Sequence, residues 1–529
     1  MSYHTADFLL LLLPLTIGFH FITPQKHRWK ILLIASYIFF WSISGKLIIY
    51  LLLSTFAIHY AGLWLNTIAT DGKLKMHDAE KEDRKAIKAE IKRKQRYVLA
   101  LMVFMHIGLL LCLKYLHFFG TNVNNLLTLI GLPDFFPAKK FALPIGISFY
   151  TLQAVSYIVD VYRGKISADK NLGRLALFMS FFPVIMEGPI CRYSDTAVKL
   201  FEGNRIVYAN LIRGMQRIIF GLFKKIVIAD RLNLLVKTVF DNYQNYNGGV
   251  IFVAMLCYTC QLYMDFSGTM EIVIGVGEIF GVKIPENFRQ PFFSKNISEF
   301  WTRWHITLGT WFRDYVYYPL SLTKPLKKLT SSARKKVGSY YGPLVSGTIA
   351  LGVVWLCNGL WHGSAWSYIF FGFYHFLMIS MGNITLPAVR KVTEKLHINR
   401  DSRPYIVMQI IKTFILVNIG ELFFRAQGLK AGLAMFKTMV TDFSFKVFTD
   451  SSLLKLGLDG KDFIIVIIGI AIVFAVSVMR EKGISPGAKL AEKNIAIRWT
   501  VYYAAILSII VFVAYGIGYA PVDPMYAGF

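Results

Sequence analysis

The sequence predicts an all-α polytopic membrane protein: a bundle of about 11–13 membrane segments, some re-entrant, around a central funnel. Three observations predict it. Apolar runs of about 20 residues recur from one end of the chain to the other. The 529 residues are 55% hydrophobic with mean hydropathy +0.49, too apolar for a soluble protein of this length. Several apolar runs are interrupted by proline, glycine and charge, and irregular backbone at membrane depth is tolerated only inside protein or along a wet cavity.

Hydropathy marks candidate segments at 8–24, 30–45, 47–66, 97–120, 141–161, 172–190, 208–236, 250–281, 343–361, 363–385, 405–424, 462–479 and 499–520. Residues 1–520 read as one transmembrane domain and 521–529 as a tail. The first run has no basic residue before it and Lys26, Arg28 and Lys30 after it. That is a retained span with its N-terminus outside, not a cleaved signal. No internal repeat is visible, so an inverted-repeat transporter finds no support.

The net charge of +27 is spread over short segments between spans. That spread fits the positive-inside rule and argues against nucleic acid as a partner. Residues 67–96 carry ten Lys and Arg interleaved with acids, and are expected as one solvated cytoplasmic helix. Basic runs at 163–174, 324–336, 390–403 and 480–498 are expected on the same side. Asp241–Asn247, a mixed-charge loop at 425–461 and the tail then fall outside. A basic inner face would also draw an anionic donor such as a coenzyme A thioester.

Five cysteines are scattered, and Cys257 and Cys260 lie inside an apolar run. They read as helix packing rather than a disulfide, zinc or redox pair. No His/Cys/Asp cluster has metal-ligand spacing, so no metal is expected. Phe181–Asp195 (FFPVIMEGPICRYSD) and Val282–Phe300 (VKIPENFRQPFFSKNISEF) are the irregular stretches behind the funnel expectation. Glu187 and Asp265, in or beside apolar runs, are expected to pair with Arg or Lys.

Trp301–Leu320, WTRWHITLGTWFRDYVYYPL, reads as one amphipathic helix. Trp301, Trp304, His305, Leu308, Trp311, Phe312 and Tyr315 form its apolar stripe, with Arg303, Thr307, Thr310 and Asp314 opposite. His305 is the odd member. It is either a core histidine donating to a backbone carbonyl or a proton-transfer group. His362, in WLCNGLWHGSAW (355–366), sits at a helix break before Gly363, where a substrate can come close. Two imidazoles in an apolar channel can serve a hydroxyl attacking a thioester. His375, in the next span, reads as packing.

WTRWHITLGTWFRDYVYYPL and GLWHGSAW resemble the two signature stretches of the membrane-bound O-acyltransferase (MBOAT) family. The likeness is to its bacterial branch, which serves alginate O-acetylation and teichoic acid D-alanylation. Residues 143–164, 181–195, 221–232 and 261–281 resemble that branch too, in the family's order. The resemblance covers roughly 30–385 and implies a bundle around a tunnel, with its catalytic core at about 97–385. It implies His362 as the family's central histidine and His305 as its partner. It also implies acyl transfer to a hydroxyl, with a donor entering from the cytoplasm.

The tail, PVDPMYAGF, places Tyr526 three residues before Phe529. It is either a short loose end or a stiff, non-helical tail folded back into the outer mouth. The second reading resembles the Tyr-x-x-Phe tails of this branch's acyl relays, which implies a tyrosyl ester at Tyr526. Such a relay hands its group to an extracytoplasmic SGNH-hydrolase-like transferase. The expectation is therefore acetyl transfer from acetyl-CoA toward a cell-wall or exopolysaccharide hydroxyl, in a bacterial plasma membrane. D-alanyl transfer from an acyl carrier protein is the alternative within the class. A lipid-linked sugar transporter is the alternative outside it.

Overall fold

The computed structural model describes residues 1–136 and 141–514. Tyr526 and the rest of the tail lie outside the described residues. The described residues divide into two compact units: Met1–Met215 with Val273–Pro285, and Gln216–Ile272 with Glu286–Ala514.

The helices of the first unit are α1 (Leu13–Ile22), α2 (Arg28–Ser44), α3 (Ile48–Asp78), α4 (Arg84–Leu129), α5 (Ile147–Tyr162), α6 (Leu172–Ser180) and α7 (Tyr193–Phe201). α5 is almost wholly buried, its Ser, Thr, Gln and Asp side chains included, which places it inside the unit, against α3 and α4. Expected to start near 141, it begins only at Ile147, after Gly146 in the left-handed region (φ +77°). A Cβ on Gly146 would lie 2.0 Å from the Ile185 carbonyl oxygen, so no other residue fits there. That carbonyl belongs to the stretch after α6, where Phe181–Ile190 is buried throughout yet not α-helical. Tyr3 supports it: its hydroxyl donates to the Phe182 carbonyl at 3.1 Å and accepts from the Met186 N–H at 3.3 Å. Side-chain and turn partners replace the missing helix ladder, as a dry interior requires. Residues 67–96 are not one helix. They are the ends of α3 and α4 with a turn at Ala79–Asp83, where acids and cations crowd.

In chain order there follow α8 (Tyr208–Leu222), α9 (Asp230–Asp241), α10 (Gly248–Ile279), α11 (Ile297–Arg303), α12 (Ile306–Phe312), α13 (Tyr318–Ser321), α14 (Lys324–His362), α15 (Trp366–Lys395), α16 (Arg403–Arg425), α17 (Leu429–Thr441), α18 (Gly460–Glu481), α19 (Pro486–Ala491) and α20 (Ile495–Phe512). A π-helical turn, Phe223–Ala229, joins α8 to α9. α17 occupies the stretch expected as a loop at 425–461; its Ala431, Gly432 and Met435 are buried, which an apolar face hidden among the lysines permits. In the second unit α14 packs on α15, α15 on α16 and α16 on α17.

Eight helical stretches among the described residues are long and apolar enough to cross a membrane. The remaining expected segments are shorter or broken; α6, for example, has nine residues. The second unit also pairs its buried charge. Asp265 meets Lys225 at 3.1 Å, as expected of it, and Lys225 meets Asp230 at 2.8 Å. Glu271, on α10, gathers Arg217 at 2.7 Å, Lys224 at 3.8 Å and Arg480. Removing one member would strand a charge in a dry interior.

Candidate active site

The stretch expected as one helix over Trp301–Leu320 is broken at its histidine. α11 ends at Arg303, α12 starts at Ile306, and a π-helical turn (Arg313–Tyr317) precedes α13. His305 itself is left-handed, at φ +48° and ψ +50°. A residue with a Cβ loses roughly 1–2 kcal/mol in that conformation, so something must hold it.

Asn287 holds it. Its side chain is fully buried. Its Oδ1 accepts from the Thr307 N–H at 3.0 Å and the Thr307 hydroxyl at 2.9 Å, and its carbonyl accepts from the Ile306 N–H at 3.0 Å. Those donors fix the amide with its oxygen toward α12. The same oxygen lies 3.4 Å from His305 Nδ1. Pairing with an acceptor puts the ring proton on Nδ1 and the lone pair on Nε2. Thr307, expected on the polar face, is buried for this reason.

His362 ends α14, and Gly363 continues in extended conformation. Glycine is needed here for space: a Cβ would lie 2.3 Å from the Tyr368 ring. The same economy sets the approach of α15. A Cβ on Gly359 would meet the Tyr368 carbonyl oxygen at 2.5 Å, and one on Gly372 the Trp355 carbonyl oxygen at 2.4 Å. Small residues at the crossing let the two backbones close, and the closure presents His362 at their end.

Both histidines are buried against one indole. The Trp361 ring lies 5.4 Å from the His305 ring and 5.0 Å from the His362 ring, edge-on to each. Phe266 closes the far side of His305 at 4.9 Å; Phe371 and Phe424 flank His362 at 5.8 and 5.0 Å. His375 stands apart in role. It accepts from the Trp301 indole N–H at 3.3 Å and stacks on Trp355. Two imidazoles held at helix breaks inside an aromatic wall can take a proton from a hydroxyl and return it to a leaving group. No group of three or more His, Cys, Asp or Glu residues is placed to hold a metal ion among the described residues.

The sequence reading missed Asn287 and the shared role of Trp361. Asn287 had a signal: a polar amide in an irregular stretch between Pro285 and Pro291, where side chains must replace ladder hydrogen bonds.

Residues 163–334 match the model of the MBOAT, membrane-bound O-acyltransferase family. The probable alginate O-acetylase AlgI of Pseudomonas aeruginosa is 32% identical over 467 residues, 87% of this chain and 78% of that protein. The chain belongs to the membrane-bound O-acyltransferase family. It is therefore a multi-pass membrane O-acyltransferase, and the broken, buried histidine stretch lies within the matched span. Other members resemble it as well. The peptidoglycan O-acetyltransferase of Helicobacter pylori is 32% identical over 372 residues, 65% of each chain. The teichoic acid D-alanyltransferase of Bacillus subtilis is 30% identical over 280 residues, 52% of this chain and 67% of that one.

Proposed function

We propose that the chain carries an acetyl group from cytoplasmic acetyl-CoA through a bacterial plasma membrane for O-acetylation of a cell-surface polysaccharide. The observation that carries this reading is the pair of histidines, His305 and His362, at different helix breaks and against one indole. His362 takes the proton of the attacking hydroxyl; His305 assists. The new ester C–O bond forms as the thioester C–S bond breaks, and the departing thiolate takes the proton from the imidazolium. Coenzyme A leaves as the free thiol.

Tyr526 is the attacking hydroxyl in this reading. Its phenol gives an ester more reactive than an alkyl one, fit to be passed to an extracytoplasmic SGNH-hydrolase-like transferase. Both termini are outside. The likeness to alginate and peptidoglycan O-acetylating proteins supports acetyl and a polysaccharide acceptor. The likeness to teichoic acid D-alanyltransferases keeps D-alanyl transfer from a carrier protein as the second reading.

The test is purified full-length protein incubated with radiolabelled acetyl-CoA, followed by peptide mapping. Label on Tyr526, absent from Tyr526→Phe and sharply reduced in His362→Ala, is the expected result. No label on the wild type with acetyl-CoA, but label with a D-alanyl carrier protein, would select the second reading. Equal labelling of wild type and His362→Ala would overturn the assignment of His362.

A further inference from the structure

α14 is two helices joined at Gly338, which lies at φ +87° and ψ +178°. Only glycine reaches that conformation without strain, and there it turns the chain back on itself. The arm before the turn, Lys324–Val337, carries Lys324, Lys327, Lys328, Arg334, Lys335 and Lys336. A second glycine seats it: a Cβ on Gly342 would lie 2.5 Å from the Arg334 Cα, so the arm passes directly over the membrane helix. Thr330 and Ser346 are hydrogen-bonded across the fold.

The folded arm leaves an open cavity of about 710 Å³. Lys327, Arg334 and Lys335 line it, with hydroxyls from Tyr317, Ser331 and Ser346. No carboxylate does. From Tyr315 to Thr393 the chain has no Asp or Glu at all, so nothing nearby along the chain neutralises these cations. That sets the arm apart from 67–96, where six acids accompany ten cations. Leu322 of the lining is exposed, as are Tyr318, Val337, Tyr340 and Tyr341 close by along the chain, the mix of aromatic and aliphatic side chains found where a bilayer meets water.

We propose that this cavity binds a phosphoryl group, three cations and the hydroxyls replacing its hydration. An anionic phospholipid headgroup and the phosphate of a soluble ester share that chemistry. The inference is independent of the reaction assigned to the histidines.

The test uses the full chain in neutral detergent, titrated calorimetrically with dihexanoyl phosphatidylglycerol and, separately, inorganic pyrophosphate. The triple variant Lys327→Gln/Arg334→Gln/Lys335→Gln removes the cavity's cations. The matched variant Lys324→Gln/Lys328→Gln/Lys336→Gln removes the same charge from the same arm outside the lining. Saturable binding should weaken at least about tenfold in the first and no more than about threefold in the second. Binding of the lipid alone would identify a headgroup site; binding of both probes, a site for free phosphoryl groups. Equal loss in both variants, or no saturable binding of either probe to the wild type, would overturn the proposal. Size-exclusion profiles and melting temperatures of both variants show whether the fold is retained; if the first misfolds, Arg334→Lys, which keeps the charge but not the planar fork, must still alter the affinity.

Discussion

The two histidine-bearing breaks are built by opposite means. At His305 the backbone is forced into the left-handed region and hydrogen bonds hold it, with Asn287 satisfying two amides and a hydroxyl of the next turn. At His362 the backbone is unstrained, and shape places the ring: glycines at 359, 363 and 372 let two helices close, and aromatic rings fence the imidazole. A hydrogen-bonded cradle fixes a tautomer and tolerates little change in its polar members. An aromatic fence fixes the position of the ring by shape. In the reaction proposed above, this difference would give the two rings distinct work: His362 to meet the reacting hydroxyl, and His305, its Nδ1 turned to the Asn287 oxygen, to set the polarity beside it.

The largest effect should come from the fenced ring. His362→Ala should lower acyl transfer by roughly 10²–10⁴-fold, the range for a lost general base, with little change in melting temperature beyond that of a truncated buried ring. Rates measured by release of free thiol from acetyl-CoA would check it. Transfer within tenfold of wild type would erase the functional half of the comparison.

The cradle should show a mixed effect. Asn287→Ala leaves the Thr307 N–H and hydroxyl without their side-chain acceptor while the backbone bond to Ile306 remains, at a cost of about 1–3 kcal/mol for the stranded buried donors. It also frees His305 to move, and a displacement of about 1 Å can cost up to 10²-fold in rate. The expected outcome is a lower melting temperature together with a rate loss of about 10–10²-fold in the molecules that remain folded. A loss in stability alone would reduce Asn287 to a structural turn.

Much of the architecture was legible because burial leaves a one-dimensional trace. The long apolar runs became α10, α14, α15, α16, α18 and α20, most bounds shifting by a few residues; α14 gains a basic arm at its start, α15 runs on to Lys395 and α20 ends at Phe512. The irregularity of Phe181–Ile190 was legible too, since Pro183, Gly188 and Pro189 cannot sustain a helix. What failed was the helix over Trp301–Leu320. Its periodicity is helical on both sides of His305, and no glycine or proline stands at the break. The turn is imposed from Asn287, 18 positions away, and a contact at that distance leaves no mark on local spacing. The break at His362 was legible because it is local: the glycine that makes it follows immediately.

His375 offers the smallest effect and the sharpest control. It is as buried as the other two and touches the same aromatic cluster through Phe371, at 4.7 Å. Its work is nonetheless accounted for by the Trp301 indole N–H it accepts and the Trp355 ring it stacks on. His375→Phe keeps the stacked ring and deletes the acceptor. It should cost about 1–3 kcal/mol for the buried N–H left over, read as a lower melting temperature. Transfer per folded molecule should stay within about threefold of wild type. A rate loss comparable to that of His362→Ala would mean that burial among aromatic rings, rather than position at a helix break, is what makes a histidine matter in this protein.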